Sequence, residues 1–359
     1  MSPDTFAGLL AERQVVIVCG TGGVGKTTTS AATALAAAET GRRAVVVTID
    51  PAKRLADALG IGELGNTPTE IDGPWPGTLA ALMLDTKSTF DEVVRRNATD
   101  DEQAERILSN RFYRNVSGTL SGTQDYMAVE KLAELYDSGD WDVVVVDTPP
   151  TRDALAFLEA PKMLSRLLDN PIYKLVTAGN RGVLGVANKA AQTVVRQLAR
   201  VVGAHVVDEA IAFFQSFDGM EKGFRDRAQA TLALMGDDRT AFVLVASPRG
   251  DTLDEARYFL DRIRKAELDA DAIVVNRVLP ATGLSLKQST ALHDSLAGTD
   301  GAGAAQALLD LATAAAADDD RVADLGEAAP HAVLTTVPML PDDVHDVDGL
   351  RVIADLLTR

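Results

Sequence analysis

Residues Cys19–Thr28 read CGTGGVGKTT. Gly20, Gly25, Lys26 and Thr27 in that stretch stand at the spacing G-x-x-x-x-G-K-[ST]. The chemistry of such a run is specific. Glycines let the backbone curl until successive N–H groups point at one anion. The helix that follows adds the positive end of its dipole. Lys26 is then placed to reach the outer phosphates of a nucleotide, and the Thr27 hydroxyl to ligate Mg²⁺. The cradle is made by Gly22, Gly23, Val24, Gly25, Lys26, Thr27 and Thr28.

Two carboxylates stand where such a loop needs them. Asp147 follows four valines, Val143–Val146, the form of a buried strand that delivers an acid to the edge of a sheet. A nucleotide-hydrolysing loop requires an acidic metal partner, and Asp147 is the candidate. Asp50 ends the apolar run Ala44–Ile49. It reads equally as a water-orienting acid and as a cap for the helix after Pro51. Asn276 follows Val274-Val275, and its amide offers a donor and an acceptor that suit an adenine edge. By itself, Asn after a strand is also an ordinary turn residue.

These residues must be positioned by strands whose ends come together. Short, β-branched apolar runs occur at 14–19, 44–49, 79–84, 142–146, 241–246, 272–275 and 332–337, with helical patterns between them. That alternation calls for a parallel sheet. The expected fold is α/β: a P-loop NTPase with a mostly parallel sheet flanked by helices, plus an inserted all-helical subdomain. The core is expected over 1–86, 141–154 and 236–359, and the helical insertions over 87–140 and 155–235. The apolar stripes Met163–Leu168 and Ile211–Phe214 are read as packing on a core. Ala302–Ala317 and Asp318–Asp320 are read as a surface helix followed by a loop.

Composition narrows the partners. The chain has 359 residues, 46% of them hydrophobic, with a net charge of −17. That excess of acid argues against nucleic acid or anionic lipid as a broad partner. Cys19 is the one cysteine, so neither a disulfide within the chain nor a multi-cysteine metal site within it is available. The N-terminal stretch lacks a long apolar segment, and no run of about 18 apolar residues occurs, so a cytoplasmic protein without membrane insertion is expected.

Taken together, TGGVGKTT (21–28), DPAKRLAD (50–57), DTPPTRD (147–153), VVNRVLP (274–280) and the closing VPMLPDD (337–343) resemble the ArsA-type ATPases. That family includes the arsenite-pump ATPase and the ATPase that targets tail-anchored membrane proteins. The resemblance runs over nearly the whole chain. It implies ATP and Mg²⁺ as cofactors, with Thr27, Asp50 and Asp147 around the metal. It implies Asp50 as the acid acting on the attacking water, Lys26 as the cation on the phosphates, and Asn276, Pro338 and Met339 beside the adenine. It further implies a nucleotide-gated dimer that handles a protein or membrane-protein client or a transport partner.

Three departures from the family pattern bear on mechanism. The family lysine that reaches the partner subunit's nucleotide is Thr21 here. The histidine of the DPAH motif is Lys53, and the Gly-His of the third motif is Arg152-Asp153. Lys53, Arg152 or a lysine from a paralogous partner could replace the missing charge. The arsenite-binding cysteine triad cannot form from one cysteine. Two alternatives accompany the main reading. One is a weakly active regulatory subunit in a heterodimer with a lysine-bearing paralogue. The other is a positioning ATPase of the MinD or ParA type, which the acidic stretch from Asp342 disfavours.

Overall fold

The computed structural model describes residues 4–50, 54–111, 113, 123–149, 160, 169 and 204–359. These residues divide into two compact units. One contains 1–83, 138–155 and 238–359; the other contains 84–137 and 156–237.

The first unit is built on an eight-stranded sheet. Its strands are β1 (Val15–Gly20), β2 (Arg43–Thr48), β3 (Thr69–Ile71), β4 (Thr78–Met83), β5 (Val143–Asp147), β6 (Thr240–Ala246), β7 (Ala272–Val278) and β8 (Val333–Pro338). Their spatial order is β3-β4-β2-β5-β1-β6-β7-β8. All neighbours are parallel except β3, which pairs antiparallel with β4. The apolar runs explain the interior of this sheet: β1, β5 and β6 are buried along their full length, as strands covered on both faces must be. Each fully buried valine adds roughly 1.5–3 kcal/mol by leaving water. β3 has two exposed residues in three and no apolar run, so the sequence carries no strand signal there. β8 lies at the other edge and alternates half-buried and exposed residues along most of its length.

Helices α1 (Phe6–Glu12), α2 (Lys26–Glu39), α3 (Arg54–Leu59), α9 (Gly250–Lys265), α10 (Leu286–Leu296), α11 (Ala302–Ala328) and α12 (Val347–Thr358) belong to this unit. α2 is alanine-rich because it is buried nearly all round: small side chains let it lie close to the sheet. α12 packs on it through Leu350, Ile353, Ala354 and Leu357, and Arg351 on α12 pairs with Glu39 on α2 at 2.7 Å. α11 departs from the sequence reading. The acidic run Asp318–Asp320 lies within the helix, not in a loop after it. Asp318 is buried there, accepts from the Leu279 amide at 3.2 Å and pairs with Arg321. A carboxylate that finds two such partners can stay on a helix face turned inward.

The second unit is helical, as its mixed-charge text suggests: α4 (Thr86–Asn97), α5 (Asp101–Ser109), α6 (Thr123–Ser138), α7 (Ala204–Ser216) and α8 (Glu221–Met235). Asp85 caps α4 through the Ser88 amide and Asp100 caps α5 through the Gln103 amide. Of the two apolar stripes, Met163–Leu168 lies outside the described residues. In the other, Phe213 is buried, stacks on Tyr113 with centroids 6.0 Å apart, and meets Phe217 edge-on at 4.8 Å. No described helix is long and apolar enough to cross a membrane.

Candidate functional site

Because β1, β2, β5, β7 and β8 run parallel in register, their carboxyl ends reach one edge of the sheet. Val18 on β1 and Thr48 on β2 both stand opposite Asp147, the last residue of β5. Asn276 on β7 stands opposite Val337 on β8. β1 lies between β5 and β6, where the chain order reverses direction across the sheet. Ligands of open α/β sheets bind at such a switch point.

The loop after β1 is shaped by three glycines in backbone conformations that side chains rarely adopt: Gly20 at φ 149, Gly23 at φ 80 and Gly25 at φ 96. Two of them also have no room for a side chain. A Cβ on Gly20 would stand 2.2 Å from the Val245 carbonyl oxygen, and one on Gly25 would stand 2.2 Å from Asn276 Nδ2. Gly25 caps α2 and leaves that helix without a side-chain cap. The amides of the first turn are thus left for a ligand.

Lys26 is buried and donates from Nζ to the Thr21 carbonyl at 2.7 Å. Burial lowers its pKa, while Asp147 acts in the opposite direction. Thr27 Oγ1 donates to Asp147 Oδ2 at 2.8 Å and Thr48 Oγ1 to the same oxygen at 2.9 Å, while Ser30 Oγ donates to the Lys26 carbonyl at 2.9 Å and lies 3.4 Å from Asp147 Oδ1. Burial drives the Asp147 pKa up, and the Thr27 and Thr48 hydroxyls oppose that shift. The result is a compact set of hard oxygen donors: one hydroxyl at the start of α2 and one carboxylate at the end of β5. Such a set suits Mg²⁺, which takes few protein ligands and completes its octahedron with water and phosphate. Asp50 lies on the same cavity, with its Oδ2 3.7 Å from Arg54.

That cavity measures about 860 Å³ and is lined by Lys26, Thr27 and Asp50 together with Asn276, Pro338 and Met339. Gly23, Gly25 and Thr28 line it as well, and the exposed Gly22 and the buried Val24 belong to the same loop. Asn276 donates through Nδ2 to the Val24 carbonyl at 2.9 Å, and its Oδ1 accepts from the Arg277 amide at 2.9 Å. One N–H and one lone pair of that amide remain for another partner. Asn276 is therefore first a brace between β7 and the loop.

Thr21, where a lysine is absent, contributes its carbonyl to Lys26; its own Oγ1 is buried and has no hydrogen-bond partner among the described residues. Lys53 and Arg152, the candidate substitute cations, lie outside the described residues. Cys19 is buried on β1, its thiol pushed up to about 12 mainly by burial, so it is a packing residue and not a nucleophile.

Several residues of the site escape the motifs. Thr48 completes the hydrogen bonds to Asp147, Ser30 lies beside that carboxylate at 3.4 Å, and Arg54 and Arg277 line the cavity. Ser30 had a signal: it lies three residues after Thr27 on one helix and so shares its face. Arg277 had none, since its role depends on an irregularity in β7.

Residues 13–293 match the model of the family described as anion-transporting ATPase. The chain belongs to the ArsA ATPase family. As a member of that family it is an ATP-hydrolysing enzyme. Among known proteins, this ArsA-family ATPase is similar to ATPase get3 of Schizosaccharomyces pombe (strain 972 / ATCC 24843), with 25% identity over 279 residues, covering 77% of this chain and 78% of the relative. It is also similar to ATPase ARSA2 of Chlamydomonas reinhardtii, with 28% identity covering 78% and 72% of the two chains. An uncharacterized protein of Streptomyces coelicolor, SCO2128, is 30% identical, covering 74% of this ArsA-family chain and 63% of the relative.

Proposed function

We propose that this ArsA-family ATPase hydrolyses ATP with Mg²⁺ as a nucleotide-gated dimer, and that the cycle loads and releases a protein or membrane-protein client. The observation that carries the nucleotide chemistry is the hydrogen bond from Thr27 to the buried Asp147, with Thr27 lining a cavity that Lys26 and Asp50 also line. Thr27 and Asp147 would hold the metal, with Asp50 near it, and the metal would neutralise charge on the outer phosphates.

The chain's own groups do the rest. Loop amides and Lys26 bind the phosphates, and Lys26 exchanges its contact with the Thr21 carbonyl for phosphate oxygens. Asp50 orients the attacking water and accepts its proton. Thr48 holds the Asp147 carboxylate in place. Asn276, Pro338 and Met339, which line the same cavity, border the adenine. The dimer and the client rest on the family resemblance and on the similarity to get3-type ATPases.

Replacing Asp50 by Asn tests both halves of this reading. The variant should keep MgATP binding while losing turnover by a factor of roughly 10²–10⁴, the contribution of a positioned general base. Retained in the ATP state, it should also co-purify with its client, to be identified by mass spectrometry. Undiminished turnover would remove Asp50 from the mechanism. A variant that stays monomeric with ATP in light scattering would remove the gated dimer.

Thr21 favours a second reading, a regulatory subunit that needs a lysine-bearing paralogue. Phosphate release by the purified chain, alone and mixed with such a paralogue, separates the two: robust turnover alone excludes the regulatory subunit.

A further inference from the structure

The pairing of β7 with β8 slips between Asn276 and Val278, which stand opposite Val337 and Pro338. Arg277 is the extra residue, and it takes φ 62, in the left-handed region. Glycine or asparagine would sit there with little cost; arginine sits there under strain. A strained residue held this way beside a ligand cavity points to a use for its side chain.

That side chain is exposed rather than packed in the core. Its Nη1 crosses to the phosphate loop and donates to the Gly23 carbonyl at 3.2 Å. A guanidinium bonded to the Gly23 carbonyl is tied to the phosphate loop itself. It lines the same cavity as Pro338 and Met339. The next rung ties Met339 to β7: its amide donates to the Val278 carbonyl at 2.8 Å. Met339 is 48% exposed, so an exposed apolar side chain and a planar cation both line the cavity.

We propose that Arg277 is a base-contacting positioning residue: its guanidinium clasps the phosphate loop at Gly23 and presents its flat face to the purine ring of the bound nucleotide. Guanidinium planes stack on aromatic rings in this way. The clasp ties occupancy of the base end to the shape of the phosphate loop, which a contact to the base alone would not do. The proposal rests on the nucleotide reading of this cavity and adds to it the residue that recognises the base.

The test compares MgATP with tripolyphosphate, which has the phosphates but no base, by calorimetry on the full chain. Arg277→Ala should weaken MgATP by about 3- to 30-fold and leave tripolyphosphate unchanged. Arg277→Lys should fall between the two, since it keeps a cation without the planar fork. Arg277→Gly should lose MgATP affinity as Ala does while melting no lower than Arg277→Ala, because glycine relieves the left-handed backbone. Equal loss for both ligands would make Arg277 a phosphate residue and overturn the proposal, as would no loss for either. Lys26→Ala serves as the reference, losing both ligands. Failure of the unaltered chain to bind MgATP would instead overturn the nucleotide reading itself.

Discussion

The Lys26 ammonium lies 2.7 Å from the Thr21 carbonyl oxygen, so the loop's own backbone holds the cation that its phosphates would claim. The lysine is buried, and burial lowers its pKa. A charge kept in such a place costs folding energy and is retained for binding.

Replacing Lys26 by Met should therefore separate stability from function. The substitution removes a desolvated charge and keeps the stem, so the thermal midpoint should hold or rise. MgATP affinity should fall at least 100-fold, about 2.7 kcal/mol or more by the ordinary conversion. Calorimetry and a melting curve on the same sample check both. Unchanged ATP affinity would remove the phosphate cradle from the site.

The Asp147 carboxylate accepts from the Thr27 and Thr48 hydroxyls on one oxygen, and an amide in its place keeps that acceptor but loses the charge a metal ion needs. In Asp147→Asn the oxygen can stay on the two threonines while the NH₂ faces the Ser30 hydroxyl, which can accept, so the change is chiefly one of charge. The expected result is a rise of roughly 10–100-fold in the Mg²⁺ concentration giving half-maximal turnover, the usual cost of disturbing the groups around a bound metal. A Mg²⁺ titration of phosphate release reads this directly. An unchanged half-saturation point would take Asp147 away from the metal.

Thr21→Lys restores the charge that the family pattern places there. If nothing else in the dimer supplies it, turnover should rise by a factor of roughly 10²–10³, the worth of one charge-stabilising donor. An unchanged rate would mean that Lys53, Arg152 or a partner subunit already provides the positive charge. The measurement is steady-state phosphate release at saturating MgATP.

These experiments concern residues that the sequence exposes unequally. Lys26, Thr27 and Asp147 are legible because each type has one role at one spacing, and the apolar runs before them announce the strands that carry them. Asp50 stays open to two readings in sequence, since an acid before Pro51 also caps helices. In the structure it lines the cavity with its carboxylate near Arg54. β3 and Arg277 are not legible. β3 is a short edge strand whose side chains are mostly exposed, so pairing with β4 and not its own pattern defines it. Arg277 becomes part of the site only through a one-residue slip between β7 and β8, which depends on two segments far apart in the chain. Asp318 was hidden likewise, because an acidic run reads as solvent-facing until a distant amide meets it.

A pH-dependent contribution to the fold is expected at the start of β2. Arg43 donates to Asp142 through Nη2 at 2.7 Å and through its backbone amide at 2.8 Å. These bonds, the side-chain one first, lower the Asp142 pKa from its ordinary 3.8 to about 2. A carboxyl whose pKa is lower in the folded chain contributes stability that is complete above its unfolded value, near pH 4. That contribution fades as the pH falls toward about 2, where the folded group also protonates. Both side chains are more than a third exposed, so salt screens the pair and its effect is small. The Asp142→Asn chain should then have a lower urea midpoint than the unaltered chain at pH 5 to 7, by a constant margin. The margin should close between about pH 4 and pH 2, and shrink at pH 7 in 1 M salt. A margin that persists unchanged at the acid end would assign the difference to packing and not to the carboxylate's charge.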